Sequence, residues 1–215
     1  MKEPIVLIGD GGHCKSVIDV IESGNQFLIK GIIGLPEMVG KKVLGYEVIG
    51  SDTDIASFAS RGYNFNIAIG QIQSAKLRIR LFETVKLHNG KLPVIISPNA
   101  YVSKYASIAE GTIIMHYVTV NADAIIGCNN ILNTGSTIEH DVTVGDHCHI
   151  STGAYANGGC KIGDNTFIGS NSTIIQEVEI GGNNIVGAGS VVIRNTKNNS
   201  LVAGNPAVFK KIISE

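Results

Sequence analysis

The stretch TIEHDVTVGDHCHISTGAYANGGCKIGDNTFI, residues 137–168, carries an aliphatic side chain at every sixth position, with alanine once in that place. The same rhythm runs from Val102 to Val192, and Ala156 is the one position outside isoleucine, leucine and valine. A six-residue repeat sustained over this length is typical of a parallel β-helix, in which short strands stack along one axis. The stretch therefore predicts a solenoid over the second half of the chain.

Composition describes a globular chain with few charges. Of its 215 residues 44% are hydrophobic and 16% are charged, and the formal net charge is −1. A near-neutral chain without a basic run shows no sign of the positively charged surface that binds nucleic acid. No signal-peptide pattern is present, and no segment approaches the ~18 consecutive apolar residues of a membrane span, so we expect a cytoplasmic protein without membrane insertion. The cysteines, which form no Cys-x-x-Cys pair, are interpreted as reduced thiols.

The first third of the chain alternates apolar strands with helical patterns, which predicts a small parallel sheet of Rossmann type. Strands are predicted at residues 4–9, 28–33, 66–69 and 94–96. Helices are predicted after the first strand as far as Ser23-Gly24, over 52–60 behind a Ser51 cap, and over 74–87 with apolar positions Leu77, Leu81 and Val85. We therefore predict two domains, a Rossmann-like one over 1–97 and a β-helix with a C-terminal cap over 98–215.

The turn Gly9-Asp10-Gly11-Gly12-His13 lies where such a sheet binds phosphate, between the first strand and its helix. Glycines let the backbone approach an anion, and the helix N-terminus offers unpaired N–H groups. As a dinucleotide fingerprint the turn is poor, because Cys14 replaces the expected third glycine and no acidic residue ends the second strand. A tight turn without a ligand is the alternative, and His13 either meets a phosphate or caps the turn.

The repeat also predicts where individual positions lie, because three hexads make one triangular coil. The fourth position of each hexad, from Gly111 to Gly189, is nearly always Gly, Asn, Asp or His, residues that tolerate a positive φ. These positions are predicted to form the corners, and His147 is one of them. The fifth position is mostly small and is predicted to pack inside the coil, which explains Cys148 and Cys160 without redox chemistry.

The same frame sorts the other histidines. His140 is predicted to project outward, with Gly158 directly under it in the next coil, as a catalytic base requires. His149 stands in an otherwise apolar column, where it either lines a groove or is an ordinary packed residue. His116 is interpreted as structural.

Several motifs together point to one family. They are the Gly-x-x-Gly-His turn (Gly9, Gly12, His13), Ala68-Ile69-Gly70, Asn133-Thr134, Ile138-Glu139-His140-Asp141, His149-Ile150-Ser151 and Ala203-Gly204-Asn205-Pro206-Ala207. Over nearly its whole length the chain resembles the bacterial nucleotide-aminosugar N-acetyltransferases of bacillosamine and perosamine type, relatives of the sialic-acid O-acetyltransferases in the hexapeptide-repeat superfamily. The resemblance implies a left-handed β-helix after the Rossmann-like domain, a homotrimer, and active sites between adjacent subunits.

The resemblance also implies roles for single residues. His140 is the implied general base, and Asp141 is the carboxylate that raises its basicity. Residues implied to contact acetyl-CoA are His149, Gly158, Ser170, Gly204 and Pro206. Residues implied to hold the nucleotide-linked sugar are Gly9, Gly11, Gly12, His13 and Gly70. Acetyl-CoA is the expected co-substrate, and no metal is expected.

These roles suggest acetyl transfer to the amino group, at C4, of a nucleotide-linked 4-amino-4,6-dideoxy sugar for surface polysaccharide or glycan synthesis. A neutral imidazole, whose pKa is near ~6.5, accepts the proton that the sugar ammonium must lose. Glu139 is an alternative partner for His140, since Asp141 stands at a corner where aspartate is favoured for backbone reasons.

Three other functions stay open. Sugar O-acetylation of the sialic-acid type is the alternative reaction, and a trimeric zinc carbonic-anhydrase-like enzyme and a non-catalytic nucleotide-sugar-binding scaffold are less favoured. The nucleotide base is also open, because residues 33–37 (IGLPE) depart from the acidic stretch that uridine-nucleotide-binding members often carry.

Overall fold

The computed structural model describes residues 2–213 and begins with an α/β part. Its strands are β1 (Glu3–Ile8), β2 (Phe27–Ile33), β3 (Lys42–Val43), β4 (Tyr46–Gly50) and β5 (Asn64–Ile67), and its helices are α1 (Gly12–Ser23), α2 (Ile55–Ser60) and α3 (Lys76–Leu87). The strand order is β3-β4-β2-β1-β5. All pairs are parallel except the β3–β4 hairpin. The prediction of a Rossmann-like α/β unit is confirmed.

Local signals account for most of these elements. The helix predicted at residues 52–60 is a 3-10 turn over Asp52–Asp54 that continues into α2, and Ser51 and Asp54 form a capping box at its start. The strand predicted at 66–69 begins two residues earlier, as β5. The hairpin of β3 and β4 was not predicted. Strand β3 has only two residues, and β4 (YEVIG) shows no regular alternation of apolar and polar residues.

The strand predicted at 94–96 was assigned to the wrong sheet. The observed strand β6 (Ile95–Ile96) pairs in parallel with Ile113–Ile114 and so starts one face of the β-helix. Ile96 continues the six-residue rhythm one hexad before Val102, which the apolar character of the segment alone did not reveal. The domain limits at 97 and 98 stay a prediction, although β-helix pairing already begins within 1–97.

The rest of the chain is a left-handed parallel β-helix of two-residue strands. Strands β7 to β22 are Tyr101–Val102, Ser107–Ile108, Ile113–Ile114, Thr119–Val120, Ile125–Ile126, Ile131–Leu132, Thr137–Ile138, Thr143–Val144, His149–Ile150, Tyr155–Ala156, Lys161–Ile162, Phe167–Ile168, Thr173–Ile174, Glu179–Ile180, Ile185–Val186 and Val191–Val192. They form three faces, ordered β7-β10-β13-β16-β19-β22, β8-β11-β14-β17-β20 and β6-β9-β12-β15-β18-β21. The hairpin β23 (Ser200–Gly204) and β24 (Ala207–Ile212) extends the third face.

The columns predicted from the hexads are confirmed. The second residue of most strands is buried in the coil, as Ile138 and Ile168 are at 0% exposure. The fourth position of every hexad from Gly111 to Gly189 has a positive φ, for example 61° at Asp141 and 56° at His147. Cys148 and Cys160 lie inside the coil, so neither is available as a nucleophile.

A shared apolar core holds helix α1 of the α/β part against the β-helix. The buried face of α1, with Val17 and Ile18, belongs to one continuous apolar cluster that includes Ile113 and Ile131 of the β-helix. Helices α2 and α3 cover the opposite face of the small sheet over a second cluster. Within residues 2–213 no helix is long and apolar enough to cross a membrane.

Candidate active site

His140 and Asp141 form a hydrogen-bonded pair at the corner after strand β13. His140 Nδ1 lies 2.7 Å from Asp141 Oδ2, and the two side chains are 65% and 63% exposed. Because a carboxylate only accepts, Nδ1 carries the proton and Nε2 is left with its lone pair. The hydrogen bond to Asp141, followed by its charge, raises the pKa of His140 above the ordinary value. The pair therefore presents a basic nitrogen to the outside of the coil.

Gly158 lies under the His140 ring, as the column predicted. A Cβ built on Gly158 would stand 2.7 Å from His140 Cε1 and 2.8 Å from Nε2, closer than real side-chain contacts. Within the described part of the chain, the Gly158 N–H donates to no protein acceptor. A free amide thus lies beside the basic ring.

The alternative partner of His140 is occupied elsewhere. Glu139 Oε2 accepts a 2.8 Å hydrogen bond from Asn121 Nδ2 in the preceding coil. The geometry therefore favours Asp141 as the group that orients the imidazole.

His149 is buried where the α/β part meets the β-helix. Its Nδ1 donates to the Gln71 carbonyl at 2.6 Å, and its Nε2 accepts from Asn133 Nδ2 at 3.0 Å. The ring packs edge-on against Phe167, with centroids 5.2 Å apart. Burial lowers the pKa of His149 to about 4, so the ring is neutral at physiological pH. His149 is an interface residue at this site, and its contact with acetyl-CoA stays a prediction.

The glycine-rich turn has one packed side and one open side. Gly9 has φ 118°, and a Cβ there would collide with Ile69 Cγ1, so the turn lies directly against the strand end after β5. Around Gly11 and Gly12, by contrast, a Cβ would meet nothing within 4 Å. The open side is also the N-terminus of α1, whose first turn carries no acidic residue. An anion can approach this backbone.

His13 connects the turn with His149. Its ring centroid lies 6.4 Å from that of His149, and its Nε2 is buried without a hydrogen-bond partner in the described residues. Burial, aided by the charge of Arg78, lowers the pKa of His13 to about 3. A Cβ built on Gly70 would lie 3.7 Å from His13 Cβ, so Gly70 lies beside the glycine-rich turn. The structure therefore brings the predicted sugar-binding residues together.

Asp10 places a carboxylate near the end of β2, although β2 does not itself end in an acidic residue. Its Oδ2 accepts from the Leu35 N–H at 3.1 Å, and a Cβ on Gly34 would collide with the same oxygen. The carboxylate comes from the end of β1.

The remaining predicted contacts to acetyl-CoA lie toward the C-terminal end of the β-helix. Ser170 Oγ lies 2.9 Å from Ser151 Oγ. Gly204 has φ 113°, its N–H donates to Ser190 Oγ at 3.1 Å, and a Cβ on it would be 3.3 Å from the Pro206 carbonyl oxygen. These residues are apart from the His140 corner, and their roles stay predictions.

His147 and His116 have structural roles. His147 is a corner residue whose Nδ1 accepts from Asn129 Nδ2 at 2.9 Å. His116 lies between Ser97 Oγ at 2.6 Å and Asp19 Oδ2 at 3.0 Å, and so ties the first coil to α1. Within residues 2–213, no group of three histidine, cysteine or acidic side chains is placed to hold a metal ion.

Arg78 and Gln71 are site neighbours that sequence reasoning missed. In α3 the buried positions are Arg78, Leu81, Phe82 and Val85. Leu77, predicted on that face, is instead 45% exposed, so that assignment was wrong. The signal was available, because the spacing 78, 81, 85 also fits one helical face. Because arginine is rarely buried, the apolar Leu77 fits the expected core position better than its neighbour Arg78.

Comparison with known proteins covers both parts of the chain. Residues 4–85 match the family described as PglD N-terminal domain, and residues 123–158 and 159–194 match the bacterial transferase hexapeptide (six repeats) family. GDP-perosamine N-acetyltransferase of Escherichia coli O157:H7 is 31% identical over 127 residues, which are 56% of this chain. That match spans only 55% of the E. coli protein.

Solved structures match over nearly the full length. PerB from Caulobacter crescentus, in complex with CoA and GDP-perosamine, is 33% identical with a TM-score of 0.90, covering 97% of each chain. The acetyltransferase domain of PglB from Neisseria gonorrhoeae FA1090, in complex with acetyl coenzyme A, is 29% identical with a TM-score of 0.90, covering 98% of this chain and 100% of that one. Together with the family matches, these relatives confirm that the chain belongs to the nucleotide-aminosugar N-acetyltransferases of the hexapeptide-repeat superfamily.

Proposed function

We propose that this protein transfers the acetyl group of acetyl-CoA to the amino group, at C4, of a nucleotide-linked 4-amino-4,6-dideoxy sugar. The observation that carries the proposal is the His140–Asp141 pair, 2.7 Å apart, which stands over Gly158 and whose Nε2 has no protein partner within residues 2–213. Relatives solved with CoA and GDP-perosamine support the two substrates. Products of this kind serve surface polysaccharide or glycan synthesis.

His140 is the general base of the proposed reaction. A sugar ammonium has no lone pair, so its nitrogen attacks the thioester only after Nε2 has taken one proton. Asp141 holds the tautomer that leaves Nε2 free and stabilises the imidazolium that forms. As the new N–C bond forms and the C–S bond breaks, the proton on His140 passes to the departing sulfur. The freed Nε2 then takes the second proton, which the nitrogen loses as it becomes an amide, and releases it to solvent. No covalent enzyme intermediate is needed.

The Gly158 amide is the proposed donor to the oxyanion that develops during attack. Its N–H is free of protein acceptors within the described residues and lies beside the reacting nitrogen. A preorganised N–H of this kind stabilises negative charge that appears only in the transition state.

The nucleotide end of the sugar is proposed to bind at the turn. Gly11 and Gly12 leave the backbone at the start of α1 open to the diphosphate, and the adjacent His13 has a buried Nε2 without a hydrogen-bond partner in the described residues. Acetyl-CoA is proposed to run from Gly158 past His149 and Ser170 toward Gly204 and Pro206. No step requires a metal.

The proposed assembly is a homotrimer with active sites between adjacent subunits. The His140 and Asp141 side chains are 65% and 63% exposed in a single chain, so the chain alone does not exclude water from them. Tyr101, Tyr117 and Tyr155 also stand outward at 61%, 70% and 47% exposure. A neighbouring subunit would cover such apolar surface and close the site. The unpaired cysteines suit the reducing cytoplasm, where we place the reaction.

A substrate screen tests the proposal. Purified protein is given acetyl-CoA with UDP-, GDP- or dTDP-linked 4-amino-4,6-dideoxy sugars, and both thiol release and product mass are followed. We expect one nucleotide series to give a product 42 Da heavier, one acetyl group, that is stable to hydroxylamine as an amide is. An ester-type product would contradict N-acetylation. Stoichiometric zinc in the purified protein would contradict the metal-free mechanism.

A further inference from the structure

Arg78 is a buried cation without a carboxylate partner. Its side chain is 1% exposed, and no ion pair within residues 2–213 includes it. Four hydrogen bonds satisfy the two terminal nitrogens. Nη1 donates to the carbonyls of Ile67 and Ile69, each at 2.7 Å, and Nη2 donates to Asn129 O at 3.0 Å and to Asn129 Oδ1 at 2.8 Å.

These acceptors belong to both parts of the molecule. Ile67 and Ile69 form the strand end against which Gly9 of the turn packs, whereas Asn129 is a corner of the β-helix. The planar guanidinium is therefore a bridge of fixed geometry, which a lysine ammonium on a flexible stem cannot reproduce.

The bridge continues to His149 through a chain of hydrogen bonds. Asn129 Nδ2 donates to His147 Nδ1 at 2.9 Å, and Gln71 Nε2 donates to the His147 carbonyl at 3.0 Å. The Gln71 carbonyl in turn accepts from His149 Nδ1 at 2.6 Å. The bonds that join Arg78 to Asn129, and Gln71 to His147 and His149, cross from the α/β part to the β-helix. The bond between Asn129 and His147 lies within the β-helix.

Burying this charge is costly, and packing alone does not account for it. Burial lowers the pKa of the Arg78 guanidinium to about 9, so it is still charged at neutral pH. An apolar residue such as methionine, with similar reach, would fill the space without the desolvation cost. What arginine adds is the four-bond link between two rigid parts.

We propose that Arg78 is a positioning residue that holds the strand end at 67–71, and with it the turn at Gly11–His13, in fixed register with His149 on the β-helix. The inference rests on the proposed function, in which the turn binds the nucleotide-linked sugar and His149 borders the acetyl-CoA site. Misplacing bound reactants by about 1 Å lowers a rate by as much as ~100-fold.

Three variants test this role. Arg78→Met removes the charge and the four bonds, Arg78→Lys keeps the charge without the fork, and Arg80→Met is the matched control, because Arg80 lies on the same helix but is 62% exposed and paired with Asp52. We expect Arg78→Met to lower kcat/KM for the nucleotide sugar at least about tenfold while KM for acetyl-CoA changes less than about twofold. Arg78→Lys should recover part of the loss, and Arg80→Met should match the wild type.

A second readout does not depend on activity. Arg78 lowers the pKa of His13 and of His149, in each case after burial as the larger cause, so NMR titration of the folded Arg78→Met protein should show both values raised. If Arg78→Met does not fold, Arg78→Lys and Asn129→Gly carry the kinetic test, since glycine keeps the corner at φ 53° while removing one acceptor.

The outcomes separate the two proposals. Unchanged sugar kinetics in a folded Arg78→Met protein, or equal losses for both substrates that follow the folded fraction, would overturn the positioning role. A wild type without acetyl transfer to any nucleotide sugar would overturn the proposed function, and the histidine titrations would still decide whether Arg78 acts on His13 and His149.

Discussion

His140 is exposed, yet its chemistry is fixed by a single neighbour. Asp141 occupies a left-handed corner at φ 61°, and that backbone geometry brings its carboxylate 2.7 Å from the ring of the preceding residue. The corner thus serves two purposes, reversal of the chain and orientation of the base. An aspartate that the turn already favours becomes the partner of an imidazole.

The first prediction concerns pH. Activity needs neutral His140, whose pKa is raised by Asp141, so the acid limb of the rate profile should have its midpoint above the ordinary value of 6.5. Asp141→Asn removes the negative charge, so the midpoint should move to lower pH while the maximal rate falls about tenfold or more. Measuring kcat/KM from pH 5.5 to 9 checks this. A midpoint that is unchanged in Asp141→Asn would show that another group titrates.

Removing the imidazole is the companion prediction. His140→Ala should lower kcat by about 100- to 10,000-fold, the usual contribution of a general base, with little change in the KM values. Glu139→Gln is the matched control, because its carboxylate binds Asn121 rather than His140. Full turnover by His140→Ala would remove His140 from the mechanism.

Gly158→Ala should disturb the base without disturbing the fold. The added methyl would lie 2.7 Å from His140 Cε1, so the exposed ring must rotate away from the amide. We expect a loss of kcat comparable to that of His140→Ala and a melting temperature close to the wild type, since no buried side chain moves. Normal activity of Gly158→Ala would mean that the His140 ring need not lie over Gly158 during catalysis.

Sequence predicted His140 and Gly158 together because both follow from one period. Stacking three hexads apart is a property of the repeat, so it needs no knowledge of distant contacts. Arg78 and Gln71 are different. Their partners in the β-helix lie in another part of the chain, Arg78 and Asn129 being 51 positions apart, and no local pattern encodes such a contact.

Strand β17 offers a direct test of the hexad. Ile162 faces the interior at 2% exposure, and its strand neighbour Lys161 faces outward, where it pairs with Glu179. Ile162→Ala should lower the free energy of unfolding by about 2–5 kcal/mol through the cavity it leaves. Lys161→Ala should change it by less than about 1 kcal/mol. Urea denaturation of the two variants measures the difference, and equal effects would contradict the inward column.

Most elements that sequence missed are too short or too irregular to show a period of their own, among them β3, β4 and the hairpin of β23 and β24. Strand β3 has two residues, and β6 has two residues that were apolar enough to fit either sheet. Only pairing with Ile113–Ile114 decides that β6 belongs to the β-helix. Long, regular segments were predicted well because many residues repeat the same constraint.

For the assembled protein we predict a trimer whose sites need two subunits. Sedimentation should give three times the chain mass of 22.7 kDa. The sharper test mixes two variants of low activity, His140→Ala and His13→Ala, after unfolding and refolding together. If one subunit supplies His140 and its neighbour the turn, about a quarter of the sites in a random mixture are intact.

The contrary result is equally clear. A mixture with no more activity than its components would mean that both residues serve a site within one chain. His140→Ala mixed with Gly158→Ala is the negative control, because these residues are stacked within one chain and cannot complement each other across a subunit boundary.

The register of the coils also limits how such a protein can change in length. Pairs such as Thr119↔Thr137 and Thr137↔Tyr155 keep each coil aligned with the next. An insertion of a few residues inside a strand would rotate every later side chain onto another face, whereas loss or gain of a whole coil would leave all columns intact. Evolution of the stack should therefore proceed by duplication or deletion of complete turns, with smaller insertions confined to the corners.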